Sequence, residues 1–204
     1  MDYEIISPFA PNIFKSKLES NFDDVYNSIK LDTNFIPHKT SDCFVSDDFY
    51  ILNKYDSLKL EIKSAFNYFK NEVLLYESTE FKLTTSWATK VRPGGSSHYH
   101  NHKNCMYSGV LYFDDVKFAA PIEFNNSNLV QESFLLNPPV RYNIYNNDKY
   151  AIHPSKNTII FFPSYLMHRV GCHGADDSRY SLAFNFIPDG IYGYADSTVR
   201  LEVF

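Results

Sequence analysis

Glycine is scarce in this chain, at 7 of 204 residues, and cysteine scarcer, at 3. The cysteines, Cys43, Cys105 and Cys172, are odd in number and form no CxxC pair, which excludes a disulfide framework as the basis of the fold. They read as reduced thiols of a cytoplasmic protein. There is no basic excess either. Lys and Arg total 19 against 24 Asp and Glu, for a net charge of −5. Nucleic-acid binding through bulk charge is therefore disfavoured, leaving only a local patch for it. No apolar run approaches the roughly 18 residues that span a bilayer. The opening "MDYEIISPFAPNIFKSKL" has no basic stretch leading into an apolar one, so it does not read as a secretory signal. Internal repeats and low-complexity segments are absent as well.

What the chain has is aromatic bulk. Hydrophobic residues make up 44% and Phe, Tyr and Trp 17%, enough for a core and of a kind that packs on pleated surfaces. The length suits one domain over residues 1–204, with a helical part over 1–80 and a β-rich part over 81–204. In "NFDDVYNSIK" Asn21 can cap a short helix with Asp23 and Asp24 in its first turn. In "DSLKLEIKSAFNYFKNEVLLY" Leu58, Ile62, Phe66, Phe69 and Val73 form one stripe at helical period, which needs a partner surface such as a sheet face. After residue 80 the strand candidates are "KLTTSWATKV", "MYSGVLYF", "APIEF", "NTIIFFP" and "RYSLAFNFI". Between them lie "RPGGSS", "NNSN", "NPPVRYNIYNNDKY" and "CHGADDSR", loops by composition. With no helix separating the strands, the pattern predicts antiparallel β as a sandwich or jelly roll.

Three of the seven histidines crowd into "SSHYHNHKNCMYSGVLYF": His98, His100 and His102. Alternate residues of an extended segment project to one side, so two imidazoles there can hold one metal ion. A third ligand must come from elsewhere, and His168, at the end of the apolar "IIFFPSYLMH", is the candidate. Imidazole suits Fe, Zn, Cu or Ni alike, so spacing does not choose the metal. Cys105 and Cys172 also stand beside histidines, but a free Cys more often behaves as a small hydrophobe. Farther on, Arg179 opens a strand with Ser181 on the same face. An Arg directed into a barrel is costly unless an anion meets it, and a guanidinium beside a hydroxyl suits a carboxylate. A surface Arg at a strand edge is the plainer reading. Trp87, Tyr107, Tyr112 and Asn185 can line such a pocket or simply pack the core. In the loop at 137–150, Arg141 and Lys149 can meet an acidic substrate or merely face solvent.

The order HxH, SGVxY, FPSxxxH, RxSxxFN resembles the 2-oxoglutarate and Fe(II)-dependent oxygenases, nearest to a family found in phages and marine bacteria. It is carried by "SW" at 86–87, "HNHKNCMYSGVLYF" at 100–113, "IIFFPSYLMHRV" at 159–170, "RYSLAFNF" at 179–186 and "DGIYGY" at 189–194. The resemblance implies a double-stranded β-helix with the N-terminal helices packed on its sheet, and a dioxygenase hydroxylating an unknown prime substrate with O2. It implies His100, His102 and His168 as ligands of Fe(II), and Arg179 with Ser181 as the anchor for 2-oxoglutarate. The pair 100/102 is preferred over 98/100 by its distance from the Ser of "SGV", which leaves His98 behind the site or at the surface. Most of that superfamily has Asp or Glu where His102 stands. An imidazole there leaves the metal more positive and removes an acceptor. Asp114 and Asp115 are carboxylates nearby, in what reads as a turn. The residues alone also fit a cupin-like β-barrel that holds a metal without 2-oxoglutarate chemistry, as another metalloenzyme or a binding module.

Overall fold

The computed structural model describes residues 4, 11–126, 139–143 and 145–203. Its strands are β1 (Phe14–Lys17), β2 (Phe35–Pro37), β3 (Phe44–Ser46), β4 (Glu80–Val91), β5 (Tyr107–Tyr112), β6 (Ile122–Asn125), β7 (Lys149–Ile152), β8 (Thr158–Pro163), β9 (His168–Val170), β10 (Arg179–Tyr192) and β11 (Val199–Leu201). They form a large sheet in the order β1-β8-β5-β10-β4-β3-β2, with β11 beside the far end of β10, and a small sheet β7-β6-β9. Every strand pairing is antiparallel. An extended segment around His100 joins the small sheet through reciprocal hydrogen bonds between His100 and His168, both 2.9 Å.

The five strands expected from composition are β4, β5, β6, β8 and β10. The region before residue 80, expected to be helical, also supplies β1, β2 and β3 to the large sheet. The alternation of the central strands sorts their side chains into two cores. Leu111 of β5, Ile159 and Phe161 of β8, and Leu182, Phe184 and Phe186 of β10 face the helices. Their neighbours Val110, Tyr112, Ile160 and Phe162 face the small sheet, where they meet Ile122, Phe124 and Ile152. Helices, large sheet and small sheet thus stack as three layers, and the space between the two sheets holds the pocket. Gly109 is required by close packing: a Cβ there would lie 2.2 Å from the Phe184 ring.

The helical layer follows the apolar stripes. Helix α1 spans Asp23–Asp32 with Phe22, not Asn21, at its N-cap; Asn21 stands one residue earlier, where its Oδ1 still accepts the Asp23 N–H at 2.8 Å. Helix α2 spans Asp56–Tyr68 and buries Leu58, Ile62 and Phe66. Phe66 lies flat on Phe186, with ring centroids 3.9 Å apart. Fully burying each such side chain contributes roughly 1.5–3 kcal/mol. The stripe does not run through to Val73, which is exposed. A single π turn at Phe69–Val73 adds a residue to the repeat and rotates Lys70 inward instead. Its ammonium donates to the Thr79 carbonyl at 2.8 Å, which satisfies the buried charge in part.

A bulge positions one wall of the pocket. Phe184 pairs with Ser86 but Phe186 with Leu83, so Thr84 and Thr85 together oppose Asn185. The extra residue reverses the alternation along β4. Before it, Phe81 and Leu83 pack against the helical core. Beyond it Ala88 does so, and Trp87 and Thr89 turn to the pocket.

Candidate active site

Three side chains at the pocket come from neighbouring strands of the small sheet. His100 and His102 lie on the segment that pairs with His168, the first residue of β9. One nitrogen from each of the three lies within 4.8 Å of the others, and this is the group of His, Cys, Asp or Glu side chains placed to hold a metal among the described residues. His98 is exposed on the same segment and lends only its carbonyl. Cys105 turns to the Lys103 carbonyl and Cys172 is exposed, so neither joins the group. Asp114 accepts from the Tyr26 hydroxyl and Asp115 from the Lys156 N–H, both away from the cluster.

The hydrogen bonds settle which nitrogens are free. His100 Nδ1 lies 2.9 Å from the His98 carbonyl and His168 Nδ1 2.8 Å from the Leu166 carbonyl. A carbonyl only accepts, so both rings carry their proton on Nδ1. His102 Nδ1 lies 2.9 Å from Asn185 Oδ1, whose amide nitrogen is committed to Thr85 Oγ1, also at 2.9 Å. That oxygen accepts too, and the Ser108 hydroxyl donates to it at 2.8 Å. All three Nε2 atoms are thereby left as lone-pair donors, the form in which imidazole binds a metal. Burial pushes His168 down to about 3, with His100 and His102 adding to the effect, and burial also lowers His102. Both rings are neutral at pH 7.

These depressed values set a pH dependence. The unfolded chain binds a proton at each of these rings near pH 6.5, while the folded protein does not. Stability therefore rises with pH from the folded value to the unfolded one and is lost on acidification through that range. From pH 7 to pH 5 His168 alone removes on the order of 2 kcal/mol. Scanning calorimetry of the metal-free protein should show a midpoint falling by about 4–8 °C over that interval, above the range in which carboxylates titrate. A flat midpoint would mean that the rings charge freely within the fold.

Deeper in the same pocket, β10 directs Arg179, Ser181 and Ala183 inward from alternate positions. Arg179 is 1% exposed, with Nη1 donating to the Ala120 carbonyl at 2.7 Å and its guanidinium over the Tyr112 ring at 5.2 Å. Its Nε is buried without a partner. Among the described residues no carboxylate reaches it. The pocket encloses about 650 Å³ including its mouth, and no Asp or Glu among the described residues lines it. A buried guanidinium without a counter-charge is the signature of an anion site. Three lone-pair imidazoles near the mouth and this cation behind them fit a metal ion and a dicarboxylate between them.

Trp87 and Tyr112 line the pocket, the Trp87 ring 5.4 Å from His102. Tyr107 does not. Strand parity points it to the helical core, where it packs on Phe66, Phe69 and Phe81. Asn185 proves to orient His102, and Ser108 was missed altogether as its companion. Ser108 leads the inward series 108, 110, 112, and Asn185 ends the series 179, 181, 183, so strand periodicity could have flagged both. In the loop at 137–150, residues 137, 138 and 144 lie outside the described residues. Arg141 is exposed, and Lys149 opens β7 beside Asp148.

Fold and pocket define a double-stranded β-helix of the jelly-roll class with a histidine cluster between its sheets. A sequence model of the family described as "Putative 2OG-Fe(II) oxygenase" matches residues 85–185, the stretch that carries every pocket side chain named above. The chain belongs to the 2-oxoglutarate and Fe(II)-dependent oxygenases, and is an oxidoreductase that uses Fe(II) and 2-oxoglutarate. Solved structures agree on the fold. A prolyl-4-hydroxylase of Pseudomonas putida superposes with a TM-score of 0.52 at 15% identity, over 86% of this chain and 91% of that one. The viral collagen prolyl hydroxylase of Paramecium Bursaria Chlorella virus-1, in complex with 2-oxoglutarate, gives 0.57 at 13% identity, over 85% and 94%. HygX of Streptomyces hygroscopicus, with nickel, 2-oxoglutarate and hygromycin B bound, gives 0.59 at 9% identity, over 87% and 83%. No curated protein matches the chain. No helix among the described residues is long and apolar enough to cross a membrane.

Proposed function

We propose that the protein is a hydroxylase in which His100, His102 and His168 hold Fe(II), and Arg179 with Ser181 binds the distal carboxylate of 2-oxoglutarate. The observation that carries this reading is Arg179: a fully buried guanidinium with an orphaned Nε, in one pocket with three imidazoles whose Nε2 atoms are free. Bound iron would supply the activation of O2 that couples decarboxylation of 2-oxoglutarate, to succinate and CO2, with insertion of one oxygen atom into a C–H bond of the prime substrate.

The chain's own groups do the positioning. The Leu166 carbonyl and the Asn185 amide aim His168 and His102. Arg179 draws the cosubstrate to the pocket floor over Tyr112, and Ser181 offers a hydroxyl from the same face of β10. The Trp87 ring beside His102 keeps bulk water from that side. The three cysteines are free, which supports a cytoplasmic setting. That HygX was solved with nickel and 2-oxoglutarate supports placing both in this pocket as well.

The test is anaerobic addition of 2-oxoglutarate to the Fe(II)-loaded protein. The expected result is a weak visible charge-transfer band, followed by succinate on admitting air. Metal binding without band or succinate would overturn the reading in favour of a cupin-like metal barrel. The all-imidazole donor set is the one observation that favours that alternative.

A further inference from the structure

The pocket assigns no role to His173, although it is 1% exposed and both its ring nitrogens are engaged. His173 sits in the connection from β9 to β10. Its Nε2 lies 2.7 Å from the Asp177 carbonyl, an acceptor only, so Nε2 carries the proton. Nδ1 is therefore bare and accepts the Ala120 N–H at 3.1 Å. This is the tautomer opposite to that of the three pocket histidines. The backbone of His173 is itself clamped to the turn at 94–95, with Gly94 N–H donating to its carbonyl at 2.8 Å and its own N–H donating to the Gly95 carbonyl at 2.9 Å.

Ala120 is the residue whose carbonyl receives Arg179 Nη1 at 2.7 Å. One residue thus faces His173 through its N–H and Arg179 through its C=O. Ala120 is wholly buried and lies outside the regular strands, two residues before β6. Phe118, two residues before it, holds a positive φ of 61°. A segment of this kind has no ladder to fix it, so its position rests on such hydrogen bonds.

We infer that His173 is a positioning residue for the cosubstrate: through Ala120 it fixes the guanidinium of Arg179 at the pocket floor. The inference rests on the assignment of Arg179 to 2-oxoglutarate. His173 touches neither metal nor cosubstrate, so its loss should act on one affinity and spare the other. In His173→Leu the Ala120 N–H loses its acceptor. In His173→Asn the side-chain Oδ1 stands near the position of Nδ1 and can accept the same N–H, whereas Gln carries its oxygen farther out, nearer the position of Nε2.

The test is isothermal titration of 2-oxoglutarate into the Mn(II)-loaded protein, with Mn(II) binding measured separately and the KM and kcat of uncoupled turnover alongside. In His173→Leu the 2-oxoglutarate Kd and KM should rise roughly tenfold, with Mn(II) affinity and kcat at saturating cosubstrate within twofold of wild type. His173→Asn should recover most of the loss and His173→Gln little of it. A 2-oxoglutarate Kd within twofold of wild type in His173→Leu overturns the inference. So does a parallel fall in Mn(II) affinity, or equal defects in the Asn and Gln variants, which also decide the matter if the Leu variant does not fold. Arg179→Met in the same titration separates the two levels. Lost binding there with none lost on changing His173 defeats this inference alone. Full binding in Arg179→Met defeats the assignment of Arg179, and this inference with it.

Discussion

Arg179→Met will make the ligand-free protein more stable and a far poorer binder of 2-oxoglutarate. The two effects share one cause. The guanidinium is 1% exposed and no carboxylate among the described residues reaches it. Keeping a cation there costs several kcal/mol of desolvation. Against this stand one hydrogen bond to the Ala120 carbonyl, worth about 1 kcal/mol, and the contact with the Tyr112 ring, worth about 1–2 kcal/mol. Methionine fills a similar volume without charge. The net gain is on the order of 1–2 kcal/mol, and the thermal midpoint should rise by about 3–6 °C. Binding runs the other way. Removing one partner of a buried, hydrogen-bonded charge pair costs about 2–5 kcal/mol, so the Kd for 2-oxoglutarate should rise by roughly 30-fold or more. Calorimetry of both proteins with and without cosubstrate measures the two numbers together. A midpoint several degrees lower in Arg179→Met would show that the charge is already compensated in the empty pocket, and the anion-site argument would fail.

The opposed effects mark where local rules yield to function, and such places are the ones a sequence reading finds by exception. An inward Arg on an apolar strand was visible for that reason, as were imidazoles two residues apart beside a core strand. The central strands and the helical stripes were also legible, because long periodic segments declare their period. Harder to see were elements too short to have one. Strand β9 has three residues and β7 four, and their pairing is set by the small sheet as a whole. Single-residue shifts were equally hidden. The bulge at Thr84 and Thr85 reverses the facing of β4, and the π turn at Phe69–Val73 exposes Val73 and buries Lys70. Tyr107 and Tyr112 differ only in parity along β5, yet one packs on helices and the other floors the pocket. Ser108, Asn185 and His173 act through hydrogen bonds to residues far along the chain, which no local pattern records.

His168→Ala should abolish metal binding, weakening it by ~100-fold or more, since loss of groups that merely orient a ligand already costs 10–100-fold. Of the three imidazoles it is the most buried, and its Nδ1 is held by the Leu166 carbonyl, which fixes the direction of its Nε2. Trp87 makes the measurement direct. It is the sole tryptophan, and its ring lies 5.4 Å from that of His102, so a transition ion held there should quench its emission. Titrating Co(II) into the wild-type protein should give saturable quenching, and into His168→Ala none over the same range. His98→Ala is the control: His98 lies on the same segment with its side chain in solvent, and its loss should leave the curve unchanged. The acid response should move as well. With the buried imidazole gone, the unfolded chain no longer takes up an extra proton at that position, and the fall in midpoint from pH 7 to pH 5 should shrink by about half or more. Saturable quenching that survives in His168→Ala would place the third ligand elsewhere, and retention of the full acid response would show that His168 is not the ring held neutral in the fold.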